Sequence, residues 1–151
     1  MCLKRSAQQI LRKELRRFAK CLTMIRTADS AGFAAVVLGK GCADLYNPKT
    51  IRATQGSLFH VPVYEADLEK IIRRLQQKGM KVFGTALQQA TDYRCSEKQE
   101  AFGLVVGNEG SGVSGRLLEL CDDNVCIPIF GKAESLNVAV AAGILMYSLQ
   151  R

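Results

Sequence analysis

The strongest constraint on this chain's fold is a repeated switch of hydrophobic period between residues 34 and 149. Short apolar, β-branched runs alternate there with stretches of helical spacing. Residues 34–38 (AAVVL) read as a buried strand closed by Gly39 and Gly41. Asn47 before Pro48 marks a helix start, with an amide to cap it and a fixed φ at the first position. The helix is predicted over 49 to about 58, and a strand over 61–64. Leu68, Ile71, Ile72 and Leu75 recur at helical spacing, with Gly79 as the stop. Residues 81–85 and 102–106 are the next strands, followed by a helix over 113–120, a strand over 124–129 and a closing helix over 136–149. Strands separated by helices have room for parallel crossovers. The predicted class is α/β, a mostly parallel sheet flanked by helices. A length of 151 residues suits one such domain.

Composition narrows the environment. With 48% hydrophobic and 23% charged residues, the chain is not of disordered type. The longest apolar candidate, 136–149, falls short of the ~18–20 residues of a membrane span and is broken by Asn137, Gly143 and Ser148. Residues 1–20 are rich in Arg and Lys and have no apolar signal core. A soluble cytoplasmic protein with no membrane partner is therefore expected. The net charge of +7 is concentrated. Residues 1–22 hold Lys4, Arg5, Arg12, Lys13, Arg16, Arg17 and Lys20 against Glu14, leaving 14 basic and 13 acidic residues for the rest. Ile10, Leu11, Leu15 and Phe18 trace the apolar side of a short basic helix in that segment. Such a run attracts phosphate backbones, and it equally suits a solvated face or arm. Two regions are expected, a basic segment 1–22 and a domain 23–151. Six cysteines include no C-x-x-C pair, and the sole histidine, His60, is remote in sequence. Zinc ligands come at short paired spacings, so no metal is expected and the cysteines read as reduced thiols.

Three places carry chemistry. Gly107-Asn108-Glu109-Gly110-Ser111-Gly112 follows a strand and precedes a helix. It is neither the G-x-G-x-x-G dinucleotide fingerprint nor a P-loop, and alone it describes a tight turn that brings backbone N–H groups close to a ligand. The second is 127–129 (IPI) with Glu134-Ser135-Leu136-Asn137, before a helix whose Ala139, Ala141, Ala142 and Gly143 permit close packing. Ser135 is the expected N-cap, and capping accounts poorly for Asn137. The third is 25–33 (IRTADSAGF), where Met24, Ile25, Ala28 and Ala31 share a core-facing side and Arg26 projects elsewhere. An arginine can hold phosphate bidentately and stabilise a developing alkoxide, and in isolation it is more often a surface cation.

Taken together, IRTADSAGF (25–33), DLYNPKTIRATQGSLFHVPVY (44–64), VVGNEGSGVS (105–114) and IPIFGKAESLNVAVAAGIL (127–145) resemble the SpoU branch of the SPOUT class. These are knotted methyltransferases of tRNA and rRNA ribose 2′-hydroxyls, and the resemblance spans about 23–151. It implies a C-terminal deep trefoil knot, a topology that periodicity cannot foretell because true knots are rare. It further implies S-adenosylmethionine bent in the knot against Gly107, Ile127 and Leu136, with Thr85 and Ala86 lining the pocket. Arg26 matches the catalytic arginine, which contacts a phosphate and helps deprotonate the 2′-hydroxyl. Glu109, Ser135 and Asn137 match positions that shape the catalytic pocket. The family implies a homodimer, with the site completed across an interface built from the helix over 136–149 and the Arg26 helix.

The first family motif, Asn-x-Gly-x-x-x-Arg, departs here. Lys20 and Leu22 stand where Asn and Gly would be, and the apolar strand that opens the family is not legible in 3–19. Residues 1–22 are accordingly expected not to be ancestral sequence. An impaired or truncated remnant that binds S-adenosylmethionine or RNA without turnover stands beside the enzyme reading. A nucleotide-binding oxidoreductase is disfavoured by the missing G-x-G-x-x-G.

Overall fold

The computed structural model describes residues 2–4, 22–39, 56–107 and 111–151. Among them the strands are β1 (Cys2–Lys4), β2 (Phe33–Leu38), β3 (Val63–Glu65), β4 (Lys81–Thr85), β5 (Thr91–Asp92), β6 (Phe102–Val105) and β7 (Asp123–Cys126). The helices are α1 (Leu22–Ser30), α2 (Leu68–Gln77), α3 (Gly115–Leu120) and α4 (Val138–Ser148), with single 3-10 turns at Ser57–Phe59 and Tyr93–Cys95. One seven-stranded sheet runs in the order β3-β2-β1-β6-β4-β7-β5. The pairs β2/β3, β4/β6, β4/β7 and β5/β7 are parallel, as the strand–helix alternation predicts.

β1 is the exception. It runs antiparallel to both neighbours, with Leu3 opposite Ala35 on β2 and Gly103 on β6. The expectation that 3–19 supplies no strand is thus corrected at Leu3 and Lys4. A three-residue pairing is too short to leave a period in the sequence.

The sheet is covered on both faces, which is why its central strands read as continuous apolar runs. Side chains alternate between two cores. Val36 and Leu38 of β2, Phe83 of β4, and Phe102 and Leu104 of β6 pack with Met24, Ile25 and Ala28 of α1 and with Ala142, Leu145 and Met146 of α4. Phe102 sits edge-on to both Phe33 and Phe83, with ring centroids 5.3 and 5.8 Å away. On the other face Ala35, Val37, Val82 and Val105 meet Ile71, Ile72 and Leu75 of α2.

α2 follows its sequence signals closely. The Asp67 carboxylate accepts from the backbone N–H groups of Glu69 and Lys70 at its start. Gly79 ends it at φ +73°, a conformation that favours glycine. Gln76 at its C-terminal end donates from Nε2 to the carbonyl of Leu120 and to Asp122.

Other boundaries shift for physical reasons. The strand expected over 124–129 stops at Cys126, before Pro128, which has no N–H to give a ladder. The closing helix starts at Val138, and its cap is Asn137, which accepts from Ala139 N at 3.0 Å. This corrects the assignment of Ser135 as N-cap and supplies the capping role that Asn137 was expected to lack. The helix predicted over 49–58 lies mostly outside the described residues, and within them Ser57–Phe59 is a 3-10 turn. The basic helix around residues 10–18 also lies outside them. β5 and the turn at Tyr93–Cys95 were not foreseen, being short and polar.

Candidate active site

Parallel strands bring their carboxyl ends to one edge of a sheet, and ligand crevices form there. Here the ends of β4, β6 and β7 open into a cavity of about 480 Å³. Small-molecule sites are roughly 300–1,000 Å³. Thr85 and Ala86 enter it from the end of β4, Gly107 from beyond β6, and Ile127 from beyond β7. Ser135 and Leu136 close it from the loop before α4. All five residues implied as cofactor contacts therefore meet in one place, together with Ser135.

Gly107 is required by close approach. A Cβ there would collide with the backbone of Gly112 and Val113, so the loop after β6 folds back on itself at main-chain contact. Gly112 has φ +66°, again a conformation that favours glycine. Most of the rest of the lining is apolar, with Val113, Ile129, Val138 and Leu145 among its members, and Leu136 remains 37% exposed. None of the described lining residues is charged. The Cys126 thiol also lines the cavity, and Sγ lies 3.7 Å from the Ala90 carbonyl.

Sequence reasoning missed several lining residues. Val138, Ala141 and Leu145 sit at helical spacing on one side of α4. That signal was present but overwritten, because every side of this helix is apolar.

The catalytic candidates separate. Arg26 lies exposed on α1 and does not line the cavity of its own chain. Asn137 is committed to capping α4 and is likewise absent from the lining. Glu109 lies outside the described residues. α1 is fixed against α4, where a Cβ on Gly143 would stand 3.3 Å from Thr27 Cγ2, so the small-residue side of α4 serves packing within the chain. α1 is also tied to the Ser57–Phe59 turn through His60 Nδ1 and Asp29 Oδ2, 3.2 Å apart.

At the end of β5, the strand beside β7, the Asp92 carboxylate receives Arg94 Nε at 3.0 Å and 3.1 Å, and Arg94 N at 3.0 Å. These bonds hold the carboxyl below the ordinary aspartate range and the guanidinium above its own. Cys121, behind β4, is pushed up to about 12 by burial and by the neighbouring Asp122.

Known proteins share this fold. The model of the SpoU rRNA Methylase family matches residues 23–147. The chain is 55% identical over 128 residues to the 23S rRNA (guanosine(2553)-2'-O)-methyltransferase RlmP of Bacillus subtilis, covering 85% of this chain and 52% of that protein. It spans about half the length of the curated relatives it matches. Among solved structures, the AdoMet-bound rRNA methyltransferase of Sinorhizobium meliloti superposes with a TM-score of 0.82 at 34% identity, over 94% of this chain and 58% of that one. The SpoU methyltransferase AviRb of Streptomyces viridochromogenes, in complex with AdoMet, gives 0.79 at 27% identity, over 93% and 61%. Residues 23–147 carry the family's own domain, and the chain belongs to the SpoU rRNA methylase family.

Proposed function

We propose that this chain transfers a methyl group from S-adenosylmethionine to a ribose 2′-hydroxyl of ribosomal RNA, 23S rRNA being the substrate class suggested by its Bacillus relative. The observation that carries this reading is the convergence of Thr85, Ala86, Gly107, Ile127 and Leu136 on one cavity with no charged residue among its described lining. The residues fit the cofactor chemically. An uncharged wall avoids repelling a sulfonium cation, while Ile127 and Leu136 offer apolar surface to a flat adenine. Folding the loop at Gly107 onto Gly112 brings main-chain groups to the cavity wall, where they can read the adenine edge. When bound, S-adenosylmethionine supplies an electrophilic methyl group. The chain's own contribution is then to position the 2′-oxygen and stabilise its negative charge.

Arg26 suits the second task, as a planar donor fork for phosphate and developing alkoxide. Because Arg26 does not line the cavity of its own chain, the reading includes a homodimer in which a second copy presents it. Val140 and Tyr147 support this, being 54% and 57% exposed on the outer side of α4. A cytoplasmic enzyme follows from the ribosomal substrate. No helix of the described residues is long and apolar enough to cross a membrane.

Calorimetry with S-adenosylmethionine and radiolabelled methyl transfer to 23S rRNA and tRNA transcripts test the proposal. Binding, with label recovered as 2′-O-methylribose in rRNA, is the expected result, and a cavity that takes up no cofactor overturns it. Gly107→Ala should abolish binding, whereas Arg26→Ala should abolish transfer and leave cofactor affinity within a few-fold. A second reading, a remnant that binds without turnover, is favoured by Lys20 and Leu22 at the motif's Asn and Gly positions. Stoichiometric cofactor binding with no transfer to either RNA would select it.

A further inference from the structure

We propose that Phe130, on the loop that lines the cavity, is a stacking platform for an unpaired nucleobase of the RNA strand whose ribose enters the site; the proposal rests on the RNA reading above. Phe130 is 87% exposed, the most exposed large apolar side chain among the described residues. It is carried by the loop between β7 and α4, the same loop that gives Ile127, Ile129, Ser135 and Leu136 to the cavity, and it directly follows a lining residue. The Arg94 guanidinium carbon stands 5.9 Å from the ring centroid. Arg94 is itself fixed by Asp92 through Nε and Nη2, so the cation over one face of the ring is pre-placed, and the 87% exposure of Phe130 leaves the opposite face for a base.

Other groups complete the surroundings. Lys132 lies exposed two residues further along the same loop, and Leu87, 66% exposed, lines the cavity mouth. Among the described residues, Asp92 is engaged by Arg94, and Glu134 on the same loop as Phe130 is exposed.

A flat ring with cations close by matches a nucleotide, whose base stacks and whose phosphate needs positive charge. A protein partner would be served by a broader apolar face, such as the one at Val140 and Tyr147. Only a base outside a duplex presents both of its faces for stacking, so the occupant is single-stranded RNA.

The test uses the full chain with a fluorescein-labelled 12-nucleotide single strand of mixed sequence, the same sequence as a duplex, and a 23S rRNA transcript. F130A should bind the single strand about tenfold more weakly and raise KM for the transcript by a similar factor. Duplex affinity and the calorimetric affinity for S-adenosylmethionine should stay within twofold. The sequence contains no tryptophan. F130W therefore introduces a single indole, whose fluorescence should be quenched by the single strand while affinity is kept.

Equal RNA affinity of F130A and wild type overturns the platform and leaves the methyltransferase reading intact. Wild-type protein that binds no RNA removes both. A parallel fall in cofactor affinity would assign Phe130 to the pocket wall, and a shift in sedimentation mass would assign it to a protein interface. Either result overturns the proposal.

Discussion

α2 and α4 lie on opposite faces of one sheet and solve burial in opposite ways. α2 (LEKIIRRLQQ) buries Ile71, Ile72 and Leu75 along one stripe and turns Arg73, Arg74 and Glu69 away from it. Glu69 is engaged by Arg116 of α3, whose Nε lies 2.7 Å from its carboxylate. Water and ions complete that surface. α4 (VAVAAGILMYS) carries no charge and buries Ala142, Leu145 and Met146, yet leaves Val140 and Tyr147 more than half exposed. A helix that is apolar on every side is ordinarily surrounded by protein. The contrast teaches that α2 has a single task, whereas α4 divides its circumference among the core, the cavity and an outer surface that the proposed second copy would cover.

The contrast can be broken most sharply in the two cores. Leu75→Ala and Leu145→Ala should each cost about 2–5 kcal/mol in chemical denaturation, since both side chains are fully buried. Only Leu145→Ala should also weaken S-adenosylmethionine binding, because Leu145 alone of the two lines the cavity. Equal effects on the cofactor would erase the distinction between the helices. A smaller effect is expected outside. The double change Val140→Glu and Tyr147→Glu should halve the sedimentation mass while altering monomer stability by only about 0.5 kcal/mol. Arg73→Glu on α2 should leave the mass unchanged.

Reactivity sharpens the α2/α3 face next. Cys121 Sγ–H donates to the Leu117 carbonyl at 3.1 Å, and its pKa is raised to about 12. A raised thiol pKa keeps the group protonated and unreactive until the pH approaches that value. At pH 8 its thiolate fraction should be roughly a thousandfold below that of an ordinary thiol, so mass mapping after iodoacetamide should find exposed Cys95 modified and Cys121 intact. The smallest effect belongs to the ion pair. Arg116→Ala should cost no more than about 1 kcal/mol and less at high salt, because Arg116 is largely exposed.

How far the sequence could be read follows the same division. α2 was legible from its stripe and Gly79, because one side faced oil and the other water, whereas its Asp67 cap emerged only with the structure. β4 was legible to the residue, since Lys81 and Thr85 bracket an apolar run. α4 was legible as a helix but not as a cavity wall, for its lining side has the same composition as its core side. Pattern alone favours Ser135 over Asn137 as N-cap because both residue types cap well, and only the three-dimensional start of the helix separates them. The cofactor positions were reached through motif resemblance. Gly107 shows why resemblance succeeded where local pattern could not, since the contact that demands glycine comes from Gly112 folding back. Phe130 and Arg94 gave no sign at all, being 36 residues apart in sequence and joined only by the sheet's edge.

The antiparallel β1 has a consequence for how the chain is assembled. β2 and β3 form one block of the sheet, β6, β4, β7 and β5 the other, and among the described residues the ladder joins them only through the backbone of Cys2–Lys4. Leu3 leaves the ribosome about a hundred residues before its partner Gly103 does. The two blocks must therefore wait for each other, and stitching them together is a long-range event of the slow kind. Clipping the chain after Lys4 would sever that seam and bare the facing edges of β2 and β6 together.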